Sequence, residues 1–144
     1  MDQVEQLKNA TSAAAAECNT LRSQVMILLN RAGGCPALAG NMAGYEADLA
    51  AADQDDSDAE AYYIAGATPR AAAIAHYDSG LAWYYGWNRS PSCPLATAEF
   101  QACVSDANAA AIHYTNAKNK QLACKGKLQA LKLLLETALQ WSNC

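Results

Sequence analysis

The chain has 144 residues, enough for one domain whose core needs neither metal nor cross-link to hold it. Alanine supplies 33 of them, while Val, Ile and Thr together number 13. That balance excludes a β-sandwich, a barrel or a nucleotide-binding α/β fold, and it predicts an all-α protein. The net charge is −4, from 10 basic and 14 acidic residues, and no basic stripe of the kind that replaces counterions on nucleic acid is present. Lys118, Lys120, Lys125, Lys127 and Lys132 share one predicted helix and read as its solvated face. No apolar run reaches the length of a membrane span.

The first element is periodic. Val4, Leu7, Thr11, Ala14, Cys18, Leu21, Val25 and Leu28 alternate spacings of three and four, which predicts a helix over 2–32 ended by Gly33-Gly34. Cys35-Pro36 restarts the chain. Leu38, Met42, Tyr45, Leu49 and Ala52 predict a second helix to residue 53, in which Gly40 and Gly44 give a neighbour room to approach. The five acidic residues from Asp53 to Glu60 read as a solvated connection, with Ser57 and Glu60 as a capping box for a short helix over 58–65. As a calcium loop the segment fails, because Asp58 and Ile64 stand where glycine and glutamate are required. Gly66-Ala-Thr68-Pro69 predicts a break, with Thr68 capping a further helix whose buried stripe is Ile74, Tyr77, Leu81 and Tyr84. A loop follows at 88–94. The last helix is predicted over 95–142, since Cys103, Ala107, Ala110, Tyr114, Ala117, Gln121, Cys124, Leu128, Leu131, Leu135 and Ala138 hold one phase for five heptads. The expected architecture is a single domain over 1–144: an elongated antiparallel bundle of three to four helices with coiled-coil-like, Ala-rich seams, stapled by disulfides.

Six cysteines, at 18, 35, 93, 103, 124 and 144, include no C-x-x-C pair, so disulfides are their expected use. If the first and last helices pack antiparallel, facing residues have a constant sum, and Cys18–Cys124 and Cys35–Cys103 satisfy one register. Cys93 and Cys144 are then stranded at opposite ends of the last helix. They are then free, or join chains head to tail into filaments, or show that the register is wrong and all three bridges are internal. Cys93 and Cys103 also stand in a C-x9-C spacing, which the helical hairpins of the mitochondrial intermembrane space use twice. Here it occurs once. Disulfides ask for an oxidising compartment, yet the first 30 residues carry no leader pattern. The expectation is an extracellular or surface protein whose leader has been removed. The alternatives are the intermembrane space, and reduced thiols packed as small hydrophobes. Asn9 and Asn88 are acceptors of glycosylation triplets.

No nucleophile elbow, phosphate-binding loop or metal-ligand spacing is present, and His76 and His113 each lack a partner at helical spacing. The reading is therefore not an enzyme, with no metal and no cofactor. Aromatic residues stand out instead: Tyr62, Tyr63, Tyr77, Trp83, Tyr84, Tyr85 and Trp87 crowd one part of the chain, and a helix cannot turn all of them to one core. They mark an interface or a ligand site. The expected function is a structural or protein-interaction subunit of a surface, particle or filament, engaging a protein partner or its own copies, with no nucleic acid and no membrane span. The alternatives are a secreted small-ligand module, with Tyr62, Tyr77, Trp83 and Trp87 lining the pocket, and an intermembrane-space accessory subunit.

Overall fold

The computed structural model describes residues 1–86 and 94–144 in full, and the backbone alone of 89–93. The order is α1 (Asp2–Gly33), a 3-10 segment (Pro36–Asn41), α2 (Met42–Tyr84) and α3 (Arg89–Ser142), with no strand among the described residues. The chain is an all-helical bundle of three packed helices. α3 packs extensively on both of the others, which meet each other much less.

The outer helices follow the periodic pattern. Val4, Thr11, Ala14, Cys18 and Val25 are buried on α1, and Cys103, Ala110, Tyr114, Ala117, Gln121, Cys124, Leu128, Leu131 and Leu135 on α3. Gly34 caps α1 with right-handed backbone, its N–H donating to the carbonyls of Asn30 and Arg31. Pro36, lacking an N–H, opens the 3-10 segment rather than the second α-helix, which begins at Met42.

The centre of the chain departs from expectation. The acidic connection at 53–60, the short helix at 58–65 and the break at Gly66–Pro69 are all parts of the single helix α2. Proline inside a helix forfeits a backbone hydrogen bond and costs about 3 kcal/mol. Packing against α3 on both sides of Pro69 offsets that cost, because Ala52, Ala59, Gly66, Ala73 and Gly80 are all buried and stand seven residues apart. The expected stripe of Ile74, Tyr77 and Tyr84 is correspondingly wrong: these side chains are 37–47% exposed, and the buried phase runs through Ala73 and Gly80.

The small residues of α2 are notches for rings of α3. A Cβ on Gly66 would lie 3.0 Å from the Tyr114 ring, and one on Gly80 would lie 2.5 Å from the Phe100 ring. Gly40 and Gly44, expected to admit a neighbour, face open space. The same seven-residue interval recurs in the buried residues of α1 (Val4, Thr11, Cys18, Val25, Ala32) and α3 (Ala96, Cys103, Ala110, Ala117, Cys124, Leu131).

Cross-helix contacts fix the chain directions. Between α2 and α3 residue numbers run oppositely: Asp55 meets Lys127, Gly66 meets Tyr114 and Tyr77 meets Phe100. Between α1 and α2 they also run oppositely, through Glu5–Arg70, Ser12–Tyr63 and Arg22–Asp53. Between α1 and α3 they rise together. The hydroxyl of Thr11 donates to the Tyr114 carbonyl, the Cys18 thiol donates to the Gln121 carbonyl, and Glu17 meets Lys125, at sequence separations of 103, 103 and 108.

The antiparallel packing expected of the first and last helices is thus overturned, since two helices that each oppose α2 must run alike. The cysteine pairing changes with it. Cys35 bonds Cys144, with Cα atoms 5.7 Å apart, because the C-terminal ends of α1 and α3 lie together. Neither Cys35–Cys103 nor a chain-linking Cys93–Cys144 bond forms; Cys103 is a free, buried thiol, and the side chain of Cys93 lies outside the described residues. Cys18 and Cys124 do face each other, as free thiols.

Two measurements check this packing. Gly80→Ala forces the Phe100 ring to move and is expected to cost about 1–3 kcal/mol in urea unfolding. Gly126→Ala, on an exposed face with open space around the new methyl, is expected to stabilise by up to about 1 kcal/mol. Peptide mapping under non-reducing conditions is expected to recover Cys35 joined to Cys144, and Cys144→Ser is expected to lower stability by about 2–5 kcal/mol.

Candidate functional site

The aromatic residues do not form one site. Tyr63 packs edge-on against Tyr114, with centroids 5.4 Å apart. Tyr77 tilts onto Phe100, and Tyr84 meets Tyr85 edge-on. Tyr62 and Trp83 lie 21 positions apart on one helix, a rise of about 30 Å, so the pocket expected from Tyr62, Tyr77 and Trp83 does not exist. Trp87 and Asn88 lie outside the described residues. What remains is a short exposed group at the end of α2, with Trp83, Tyr84 and Tyr85 at 45%, 47% and 69% exposure. Trp141, which the sequence pattern did not single out, is 80% exposed near the end of α3. Of the two glycosylation triplets, Asn9 is exposed on α1 while its Thr11 is buried and bonded to the carbonyls of Leu7 and Tyr114.

The chemistry concentrates at mid-bundle. Three buried polar side chains, Thr11, Asp55 and Gln121, sit among the apolar stripes. The Gln121 amide Nε2 donates to Asp56 at 2.9 Å, which fixes its orientation and leaves Oε1 buried with no partner. Asp55 is held between two cations. Its Oδ1 lies 3.6 Å from the Lys120 ammonium, and its Oδ2 lies 2.6 Å from that of Lys127, an ion pair without hydrogen-bond alignment. Lys120 also reaches Asp58, whose carboxyl is pulled below its ordinary value by the Gln54 amide and by Lys120. The acidic run read as a solvated connection is therefore largely an inter-helix charge network.

Above this layer, α1 and α2 stand apart and leave an open trough of about 400 Å³. Ala15, Ala16 and Ala59 line it with Ser12, Asp56 and Tyr63, and Gln121 contributes from α3. The layer also holds two thiols. Cys18 and Cys124, each 2% exposed, are within hydrogen-bonding reach of one another. Burial pushes both up, Cys124 to about 12, because it also donates to Cys18.

His76 has partners that local spacing could not show. Its Nδ1 lies 2.6 Å from Glu99 and its Nε2 lies 3.5 Å from Asp106, both on α3. The ring bridges α2 to α3 and occupies both nitrogens in doing so. Among the described residues, no three His, Cys, Asp or Glu side chains form a group able to hold a metal ion. No helix among them is long and apolar enough to cross a membrane. No protein-family model, curated protein or solved structure matches the chain.

One titration follows from the ion pairs. The Arg70 guanidinium bonds Glu5 and holds its carboxyl below the ordinary 4.5. The pair therefore contributes fully above pH 4.5, and its contribution is lost as pH falls through the lowered value. Because both groups are partly solvated, Glu5→Gln is expected to cost at most about 1 kcal/mol at neutral pH. Urea midpoints of the two proteins are expected to converge well into the acid range; a gap that persists there would show that the loss is not electrostatic.

Proposed function

We propose that this chain is a non-enzymatic structural or protein-interaction subunit, an elongated helical bundle with coiled-coil-like, small-residue seams, working outside the reducing cytoplasm. The observation that carries the reading is the seven-residue interval shared by the buried residues of all three helices. An interval of 3.5 residues per turn keeps one face on its neighbours along a whole helix. It suits a rod better than a globule built around a cavity. At 1.5 Å per residue, α3 with its 54 residues is about 80 Å long. The disulfide Cys35–Cys144 supports an oxidising compartment.

The working surface of such a rod is its outside. Trp83, Tyr84 and Tyr85 are the large side chains that the seam leaves in solvent at the end of α2, and residues of these types anchor protein contacts. The partner is a second copy of the chain or another helical protein, met without nucleic acid and without a membrane span.

Sedimentation velocity from micromolar to near-millimolar concentration tests the reading. The mass is expected to rise above the 15.2 kDa of one chain, and Trp83→Ala with Tyr85→Ala is expected to weaken association at least ~10-fold, as loss of an aromatic anchor does. If the doubly substituted protein associates like the parent, the aromatic end is not the contact. A parent that stays monomeric throughout would remove self-assembly.

A further inference from the structure

The mid-bundle thiols have a use that the rod itself does not require. Cys18 and Cys124 belong to one core cluster, on helices that run alike and present the same level to each other. The Cys18 thiol donates to the carbonyl of Gln121, three residues before Cys124, at 3.1 Å. The adjoining residues Glu17 and Lys125 form an ion pair across the same two helices, so the level is fixed from outside the core as well as within it. Cys103 sits about six turns of an α-helix from this level on α3, and the existing bridge uses Cys35 and Cys144 at the far end of α1.

We propose that Cys18 and Cys124 are a modification site: a dithiol that closes to a disulfide, giving α1 a second covalent tie to α3 at mid-bundle and leaving Cys103 reduced. The inference does not depend on the assembly reading above, since it concerns the joining of two helices within one chain.

The oxidant is a low-molecular-weight disulfide, such as oxidised glutathione. The Cys18 thiol loses its proton and the thiolate attacks one sulfur of the oxidant. The oxidant's S–S bond breaks, and the departing thiolate carries off the electron pair. Cys124 then loses its proton and attacks Sγ of Cys18 in this mixed disulfide, breaking its bond to the glutathione sulfur and expelling the second glutathione thiolate. Two protons and two electrons leave the protein, and both end on the two glutathione thiols. The same product forms if Cys124 attacks first, since each thiol is the other's neighbour in the core.

Burial makes the step slow on the folded protein, because the oxidant reaches Cys18 only when α1 lifts. α1 is the helix able to lift: α2 and α3 hold each other far more extensively than either holds α1. Once formed, the bond is shielded from reduction by the same packing.

The test refolds fully reduced full-length chain in glutathione buffers of stepped redox poise, so that access is not limiting. Alkylation in denaturant, intact mass and non-reducing peptide maps then follow. In oxidising buffer, the expected product carries Cys35–Cys144 and Cys18–Cys124 together, with Cys103 alkylated. Amide hydrogen exchange in the middle of α1 is expected to slow at least ~10-fold relative to the protein with only the first bridge, as cross-linking suppresses local opening. Cys18→Ser keeps Cys35–Cys144 and loses the second link.

Three results would overturn the proposal. One is a product holding Cys35–Cys144 with Cys18 and Cys124 both alkylated at every poise. Another is a map in which either thiol joins Cys103 or Cys93. The last is a stable glutathione adduct on Cys18 that never resolves to the internal bond.

Discussion

The close approach of α2 to α3 is the constraint from which the rest of the molecule follows. A helix pair packs closely only where one partner has no side chain to keep the other away. α2 supplies such positions every seventh residue, from Ala52 to Gly80, and α3 answers at two of them with the Tyr114 and Phe100 rings. This contact keeps α2 helical across Pro69, because leaving the helix there would pull two rings out of their notches. It also decides what is exposed. Once glycine and alanine take the buried phase, the larger residues beside them, Ile74, Tyr77 and Tyr84, are turned partly to solvent. The aromatic surface of α2 is therefore a by-product of how tightly α2 and α3 pack.

Chain direction is the second constraint, and it follows from there being three long helices. With short connections, each helix opposes the one before it, so the first and third run alike. That places Cys35 beside Cys144, sets Thr11 against Tyr114, and holds Cys18 level with Cys124. The polar residues within the seams reinforce the same register. A slip of one heptad would take Gln121 from Asp56 and Asp55 from Lys127, and would leave the buried Asp55 carboxylate unpaired, which costs more than the intact pair contributes. Along α2 the buried residues from Ala52 to Gly80 are mostly small and do little by themselves to fix a register. The charged layer at mid-bundle selects it.

The outer helices were legible in the sequence and the middle one was not, for a physical reason. Among the described residues of α1 and α3 the buried ones are apolar or thiol-bearing and are interrupted only by Thr11 and Gln121, so periodicity reveals them. Along α2 the buried residues are alanine and glycine, which periodicity scores as weakly apolar or as breakers. The large residues that attract attention are the exposed ones. Gly66 and Pro69 carry a local signal for a break, and tertiary packing overrides it. The Cys18–Cys124 proximity was reached from an antiparallel register, and the parallel one brings the same two residues together by a different relation. The partners of His76 could not be seen in the sequence at all, because Glu99 and Asp106 meet it only across the α2–α3 contact. The aromatic site was expected from composition, but clustering in sequence on a long helix spreads residues along an axis, and those expected to line one pocket end up tens of ångströms apart.

What this architecture can do is bounded by the same packing. A binding pocket needs side chains that converge on a space, and seams of alanine and glycine close the space between helices instead. Where α1 and α2 separate, the trough between them is shallow, and the one unpartnered acceptor nearby, Gln121 Oε1, is sealed beneath it. A ligand in the trough could not reach that atom without displacing the layer that sets the register. The aromatic side chains most open to solvent, Tyr85 and Trp141, stand near the ends of helices instead. The mid-bundle thiols are buried in the core, so on the proposal above they react only when α1 moves. On the proposed reading such a bundle holds shape and presents surface, and a second tie between Cys18 and Cys124 would set how firmly α1 stays in place beyond the hold of Cys35–Cys144.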